Sequence, residues 1–179
     1  MNHLIPVIGY FLFTFSYLIQ LLNSINKDNM YIIVGTILLS FGYFELFIKY
    51  YNEMKEHNEK KGHNKDHKEK KHNKQKKWNK TGNLILFIFV LMSYFLPINK
   101  HKHLTDVFSL IAHLIIITNL DSNFSNILFT LYYLSYAMAT LEENTILNKI
   151  KLLGSLFLIY YNGQHAYEHY ILKKKDKKH

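Results

Sequence analysis

Residues 30–98 read MYIIVGTILLSFGYFELFI (30–48), KYYNEMKEHNEKKGHNKDHKEKKHNKQKKWNK (49–80), TG (81–82) and NLILFIFVLMSYFLPI (83–98). Two apolar blocks, with Glu45 as their one charge, flank a segment that holds 12 of the chain's 22 lysines. A hydrocarbon core of about 30 Å takes roughly 20 mostly apolar residues at a helical rise of about 1.5 Å each. The first block is of that length, and the second is short and closed by Pro97. The pattern predicts two membrane helices joined by a hydrophilic loop.

Outward from there the alternation repeats. Leu4–Leu22, Leu104–Leu120, Phe124–Leu141 and Leu152–Leu172 are further charge-poor runs, so with Met30–Ile48 and Asn83–Ile98 the chain carries six expected spans. The expected fold is an all-α polytopic transmembrane helical bundle. Its organisation is two helices in 1–48, a flexible cytoplasmic Lys/His-rich loop over 49–82, four helices in 83–172 and a basic tail over 173–179. Strands do not fit, because the runs lack period-2 alternation and only helices or closed barrels satisfy backbone groups in lipid. A soluble bundle does not fit either, since the blocks are apolar around their whole circumference. The first run lacks a lysine-rich flank and a small-residue cleavage site, which marks it as a retained helix.

Composition agrees. Aromatic residues make up 16% of the chain, and mean hydropathy is near zero only because the 49–80 segment offsets the apolar runs. All basic residues are lysine, and Asn, Ile, Tyr and Phe are abundant, as an AT-biased coding sequence produces. Cysteine is absent, which excludes disulfides and thiolate metal sites.

Lysine placement orients the bundle. With six spans both termini share a side, and that side collects 17 lysines, from the loop and the tail, against Lys27, Lys100, Lys102, Lys149 and Lys151 on the other. The positive-inside rule then puts both termini in the cytoplasm or its equivalent, with Glu142 and Glu143 outside. Within the loop, His57, His63, His67 and His72 could hold a transition metal weakly, as such loops do in zinc transporters, yet the interspersed lysines repel a cation. The reading favoured is a solvated linker, which can be helical near the membrane and whose lysines meet anionic lipid headgroups. Nucleic acid is not an expected partner, because Trp78 is the one aromatic beyond the loop's first residues and suits an interfacial anchor.

Ionisable groups inside the spans are few, and at membrane depth each needs a partner, water or the bundle interior. They are Glu45 in the second span, Asp106 and His113 in the fourth, and His165, Glu168 and His169 in the sixth. Counted from the inner ends of those three helices, Glu45, His113 and His165 fall at nearly one depth. His165 and His169 are four apart with Glu168 beside them, so one turn offers two imidazoles and a carboxylate. The sharp reading is a site for zinc or another divalent transition metal, with His113, His165 and His169 as nitrogen ligands and Glu45 or Glu168 as carboxylate ligand or general base. The plainer reading is hydrogen bonding between helices. A haem would need His113 facing His165 or His169. His-x-x-Glu-His is also the order of inverted zinc peptidases. Ser109-x-x-x-His113 with His165-x-x-x-His169 resembles the zinc site of membrane amidases of the ceramidase and adiponectin-receptor type, which have seven helices and a different spacing.

At the fourth span INKHKHLTDVFSLIAH (98–113) sets His101, His103 and His113 around Asp106, and this H-x-H-x9-H at a helix entry resembles the histidine motif of the transmembrane protein 45 family. NHLIPVIGYF (2–11), with His3, resembles that family's His-x-x-Pro opening, IVGTILLSFGYFE (33–45) its second helix, and LLGSLF (152–157) a late helix start. The resemblance implies an integral membrane protein of endomembranes or the cell surface with inward polar residues. It makes His3, Glu45, His101, His103, Asp106 and His113 the positions to watch. The family is a seven-helix bundle, whereas this chain has the Lys/His loop where a further helix is expected.

Two classes of function follow. One is a non-enzymatic membrane scaffold or subunit, for which the sequence also allows an oligomer. The other is a metal-binding transporter or metal-dependent hydrolase using the inner polar layer. No T-V-G-Y-G-like filter points to a channel, and no mid-span lysine points to retinal.

Overall fold

The computed structural model describes residues 4–25, 30–60, 68–95, 104–118, 122–141 and 145–172, and for 59–60, 68–79, 94–95, 104–106, 122 and 172 it describes the backbone alone. Every described element is helical: α1 (Leu4–Ser24), α2 (Met30–Lys60), α3 (Lys68–Phe95), α4 (Leu104–Thr118), α5 (Ser122–Leu141), α6 (Ile146–Tyr167) and a terminal π-turn, Glu168–Leu172. The fold is all-α.

Several helices outrun the apolar blocks. Residues 49–60, expected in a flexible loop, continue α2, and 68–80 open α3. Lysine, glutamate and methionine are good helix formers whose long side chains lose little freedom on a helix, so the hydrophilic segment extends the winding that the apolar block starts. Likewise α6 begins six residues before the expected span. The Thr145 side chain accepts from the Asn148 backbone N–H at 3.1 Å, capping an otherwise unsatisfied donor of the first turn.

Each helix packs on its neighbours in the chain, and α1 also packs on α6, which closes the six into a ring. The register is antiparallel at every junction that can be followed. Tyr10 stacks on Tyr50 and Tyr17 on Tyr43 across α1 and α2, while Gly9 meets Leu158 and Phe13 meets Gly154 across α1 and α6. Consequently α2 and α6 run the same way. Two of these crossings are glycine pairs. A Cβ on Gly154 would lie 3.0 Å from Phe13 Cδ2 and 3.3 Å from the Gly9 carbonyl oxygen, and one on Gly82 of α3 would lie 2.9 Å from Glu45 Cβ and 3.0 Å from the Gly42 carbonyl oxygen. Glycine there lets the backbones approach where any side chain would part them.

The ring encloses a core to which every helix contributes, including Tyr10, Phe13, Tyr43, Leu86, Ala112, Phe129, Tyr133 and Leu158. Outward faces are apolar as well: Phe11, Phe41, Met138 and Leu156 are each half exposed or more. Small polar side chains are turned inward and satisfied locally. Thr14 donates to the Tyr10 carbonyl at 2.9 Å, Ser40 to that of Thr36 at 2.8 Å and Ser155 to that of Lys151 at 2.9 Å, so these buried hydroxyls need no water. Two helices, α1 and the Met30–Asn58 part of α2, are long and apolar enough to cross a membrane, α1 measuring about 31 Å. Shorter apolar helical stretches cover Lys80–Ser93 and Val107–Thr118.

Candidate functional site

The polar side chains singled out by the sequence fall into two groups on this ring. Around α3, the Cβ of Glu45 packs over Gly82, and the next residue, Asn83, pairs with His113: Nδ1 of the imidazole lies 2.9 Å from Asn83 Oδ1. An amide oxygen can only accept, so Nδ1 carries the hydrogen and donates it. Both partners are buried, with Ser109 one turn before His113 buried too, and the imidazole stands edge-on to Phe129 with centroids 4.9 Å apart. Glu45 and His113 therefore meet consecutive residues of α3, about 1.5 Å apart in height, but on different faces of it.

The second group is at the end of α6. Tyr161 meets Tyr50, five residues beyond Glu45 on the parallel helix α2, and His165 is a turn past Tyr161. His165 thus lies roughly 13 Å further along the axis than Glu45. It packs edge-on to Tyr161 at 4.6 Å. Glu168 Oε1 accepts from Gln164 Nε2 at 3.0 Å, and His169 packs against Tyr170, its Nδ1 buried with no hydrogen-bond partner among the described residues. Glu45, His113 and His165 are held by separate partners. Among the described residues no three of His, Asp and Glu are grouped so as to hold a metal ion. His3, His101, His103, His63 and His67 lie outside the described residues, as do the side chains of Asp106, His72 and Trp78.

The Asn83–His113 pair is a packing device with a measurable coupling. Replacing Asn83 by Ala leaves a buried N–H unpaired, at a cost of about 1–3 kcal/mol, whereas removing both partners with Asn83→Ala and His113→Leu costs less than the sum of the single changes. A double-mutant cycle on thermal unfolding in detergent reads this; strict additivity would show that the pair is not coupled.

What residue-by-residue reasoning missed is in the middle of the ring. Tyr10 and Tyr17 of α1, Tyr43 and Tyr50 of α2, Tyr132, Tyr133 and Tyr136 of α5, and Tyr161 of α6 face one another there. Tyr10, Tyr17, Tyr43 and Tyr133 are buried and the others half-buried. Their signal was the spacing of seven in Tyr10/Tyr17 and Tyr43/Tyr50, which puts each pair on one helix face. A buried phenol needs a partner for its O–H. Tyr17 and Tyr136 share one at 3.1 Å, while Tyr10 stacks on Tyr50 with centroids 5.1 Å apart and Tyr50 meets Tyr161 edge-on at 5.4 Å.

Comparison with protein-family models, curated proteins and solved structures finds no match. The functional reading therefore rests on the chain's own geometry. A lysine flanks the tyrosines at each end: Lys49 Nζ lies 4.5 Å above the Tyr50 ring, and the buried Lys151 lies 4.7 Å above the Tyr17 ring while donating to Gln20 Oε1 at 2.6 Å. These are cation–π contacts, in which a desolvated amine is stabilised by the ring's negative face.

Proposed function

We propose that the chain is a multi-pass integral membrane protein whose six helices all span the bilayer, acting as a non-enzymatic scaffold or subunit. One observation carries the reading: the ring buries small polar side chains such as Ser16, Thr36, Asn83, Ser109, Ser125 and Asn162, while every helix with described side chains leaves large apolar ones exposed, as Phe11, Phe41, Leu91, Leu114, Met138 and Leu156 do. In water such an outer surface would be an aggregation hazard, and in lipid it is the solvent-matched face. Helix α4 is as apolar as α1 but shorter, and polar residues such as Asn83, His113 and Asn162 are buried in the interior. Both termini and the 61–67 connection then face the cytoplasm, with the lysines of 49–80 over anionic headgroups. The short motifs that resemble those of the transmembrane protein 45 family are in keeping with the same class. A metal-dependent transporter or hydrolase has no grouped ligands among the described residues to draw on.

Because the chain has no cysteine, single cysteines report topology directly. Asn64→Cys and Asp176→Cys are expected to react with an impermeant maleimide from one side of sealed vesicles, and Asn26→Cys, Asn99→Cys and Asn144→Cys from the other. Labelling of Asn64 and Asn99 from the same side would refute the six-span arrangement.

A further inference from the structure

We infer that the polar arm of α3, Lys68–Lys80, is a basic rod that docks the chain onto the anionic lipid surface of a second membrane lying against the first. Resting on the six-span reading, this gives the cytoplasmic end of the bundle a partner.

The arm is the part of α3 that precedes its apolar block. Helix α3 is unbroken from Lys68 to Phe95 and contains no proline, so the arm carries on along the axis of the span. Lying flat on its own bilayer would need an apolar face, which KEKKHNKQKKWNK (68–80) lacks. Trp78 is its one large apolar residue, and at about 100° per residue its seven lysine positions fall on every side of the axis. Glu69 is the one acid among them. The polar end of α2 leaves the same crossing of Gly42 and Gly82 and continues to Lys60 with three lysines and three glutamates over 49–60. It is balanced, so the excess charge belongs to α3.

Height divides these lysines. Counted from Asn83, where the apolar block begins, Lys80, Lys77 and Lys76 lie about 5–11 Å outside the hydrocarbon, and Lys71, Lys70 and Lys68 about 18–23 Å. The headgroup layer is about 5–8 Å deep on each side, and the field of a charged surface fades over about 8 Å at physiological ionic strength. The first three positions are within reach of their own headgroups, whereas the last three stand clear of them. Lysine is a point charge without the planar fork that matches a single carboxylate or phosphate, and lysines on all sides offer no one face for a protein groove to read. Such a rod responds to summed charge. An extended negative surface suits it, and near an anionic bilayer each lysine strengthens attachment about fivefold.

The test uses the full chain inserted in vesicles of neutral phosphatidylcholine, mixed with dye-filled acceptor vesicles that are either neutral or rich in phosphatidylserine. Insertion is checked by alkaline extraction, and outward-facing arms are counted by labelling Asn64→Cys. Wild type is expected to hold anionic acceptors about tenfold or more over neutral ones and to release them as salt rises. Two triple variants remove equal charge and keep the helix, since glutamine is about as good a helix former as lysine. Lys68→Gln with Lys70→Gln and Lys71→Gln, at the tip, is expected to weaken docking on the order of a hundredfold. Lys76→Gln with Lys77→Gln and Lys80→Gln, at the base, should change it by less than about threefold. Equal losses in the two triples, or neutral acceptors held as well as anionic ones, overturn the docking rod and leave the membrane reading standing. Release of the acceptors by polyglutamate or RNA at a lower charge concentration than the lipid assigns the arm to an acidic protein or a nucleic acid, and overturns it as well. A chain that does not insert overturns both.

Discussion

Gly82→Ala should weaken the protein sharply, although it adds a single methyl and replaces glycine by the best helix former. The new Cβ would lie 2.9 Å from Glu45 Cβ and 3.0 Å from the Gly42 carbonyl oxygen. Neither can swing away, because one is fixed to the α2 backbone and the other is part of it. The helices must part, and overpacking of this kind costs about 1–3 kcal/mol, more for a larger side chain such as Val. The same substitution at Gly163 is the control. There a Cβ would meet the Thr130 side chain at 3.8 Å, an ordinary contact, so Gly163→Ala should be neutral or stabilise by up to about 1 kcal/mol through helix propensity. Unfolding midpoints in one detergent compare the two. Equal effects would mean that α2 and α3 do not cross at Gly82.

A second large effect is expected at Phe13. Its side chain is fully buried, stacks on Tyr43 with centroids 4.8 Å apart, tilts against Tyr133 and Tyr136, and fills the space over Gly154. Phe13→Ala opens a cavity between four helices and should cost about 3–5 kcal/mol, with Phe13→Leu far milder. Dependence on Gly154 sharpens the test. Gly154→Ala alone pushes its methyl into the Phe13 ring, but in the Phe13→Ala background that methyl enters the vacated space, so the double variant should be more stable than the two losses predict. Additive losses would place Phe13 elsewhere.

The helices themselves were legible because length and charge are local properties. Met30, Leu104 and Leu141 bound helices where the apolar runs do. The polar ends were not legible on that basis, since a span is delimited by its first charge whereas a helix is delimited by its cap. Lys149 and Lys151 therefore read as loop while Thr145 starts the helix before them. For the polar residues, counting along each span brought Glu45, His113 and His165 to one level; contacts with Gly82 and Asn83 place the first two so, but His165 lies roughly 13 Å further along. It did not reveal that the first two face different sides of α3, because rotation about an axis depends on which helix packs where. Asn83 drew no notice at the edge of an apolar run. The tyrosines were obscured by composition, since abundance in an AT-biased chain hides a spacing of seven.

Closure of the ring between α1 and α6 also bears on the order of assembly. The groove of α1 at Gly9 and Phe13 is completed by Gly154 and Leu158, which lie some 140 residues later in the chain. During synthesis the first helix must wait for the last, holding Tyr10, Phe13 and Tyr17 against a partial wall of α2 and α5. Such distant pairing is the slow kind, and an unfinished ring presents an open seam to any other helix nearby. The maturing chain therefore has a vulnerable interval, which ends when α6 seats.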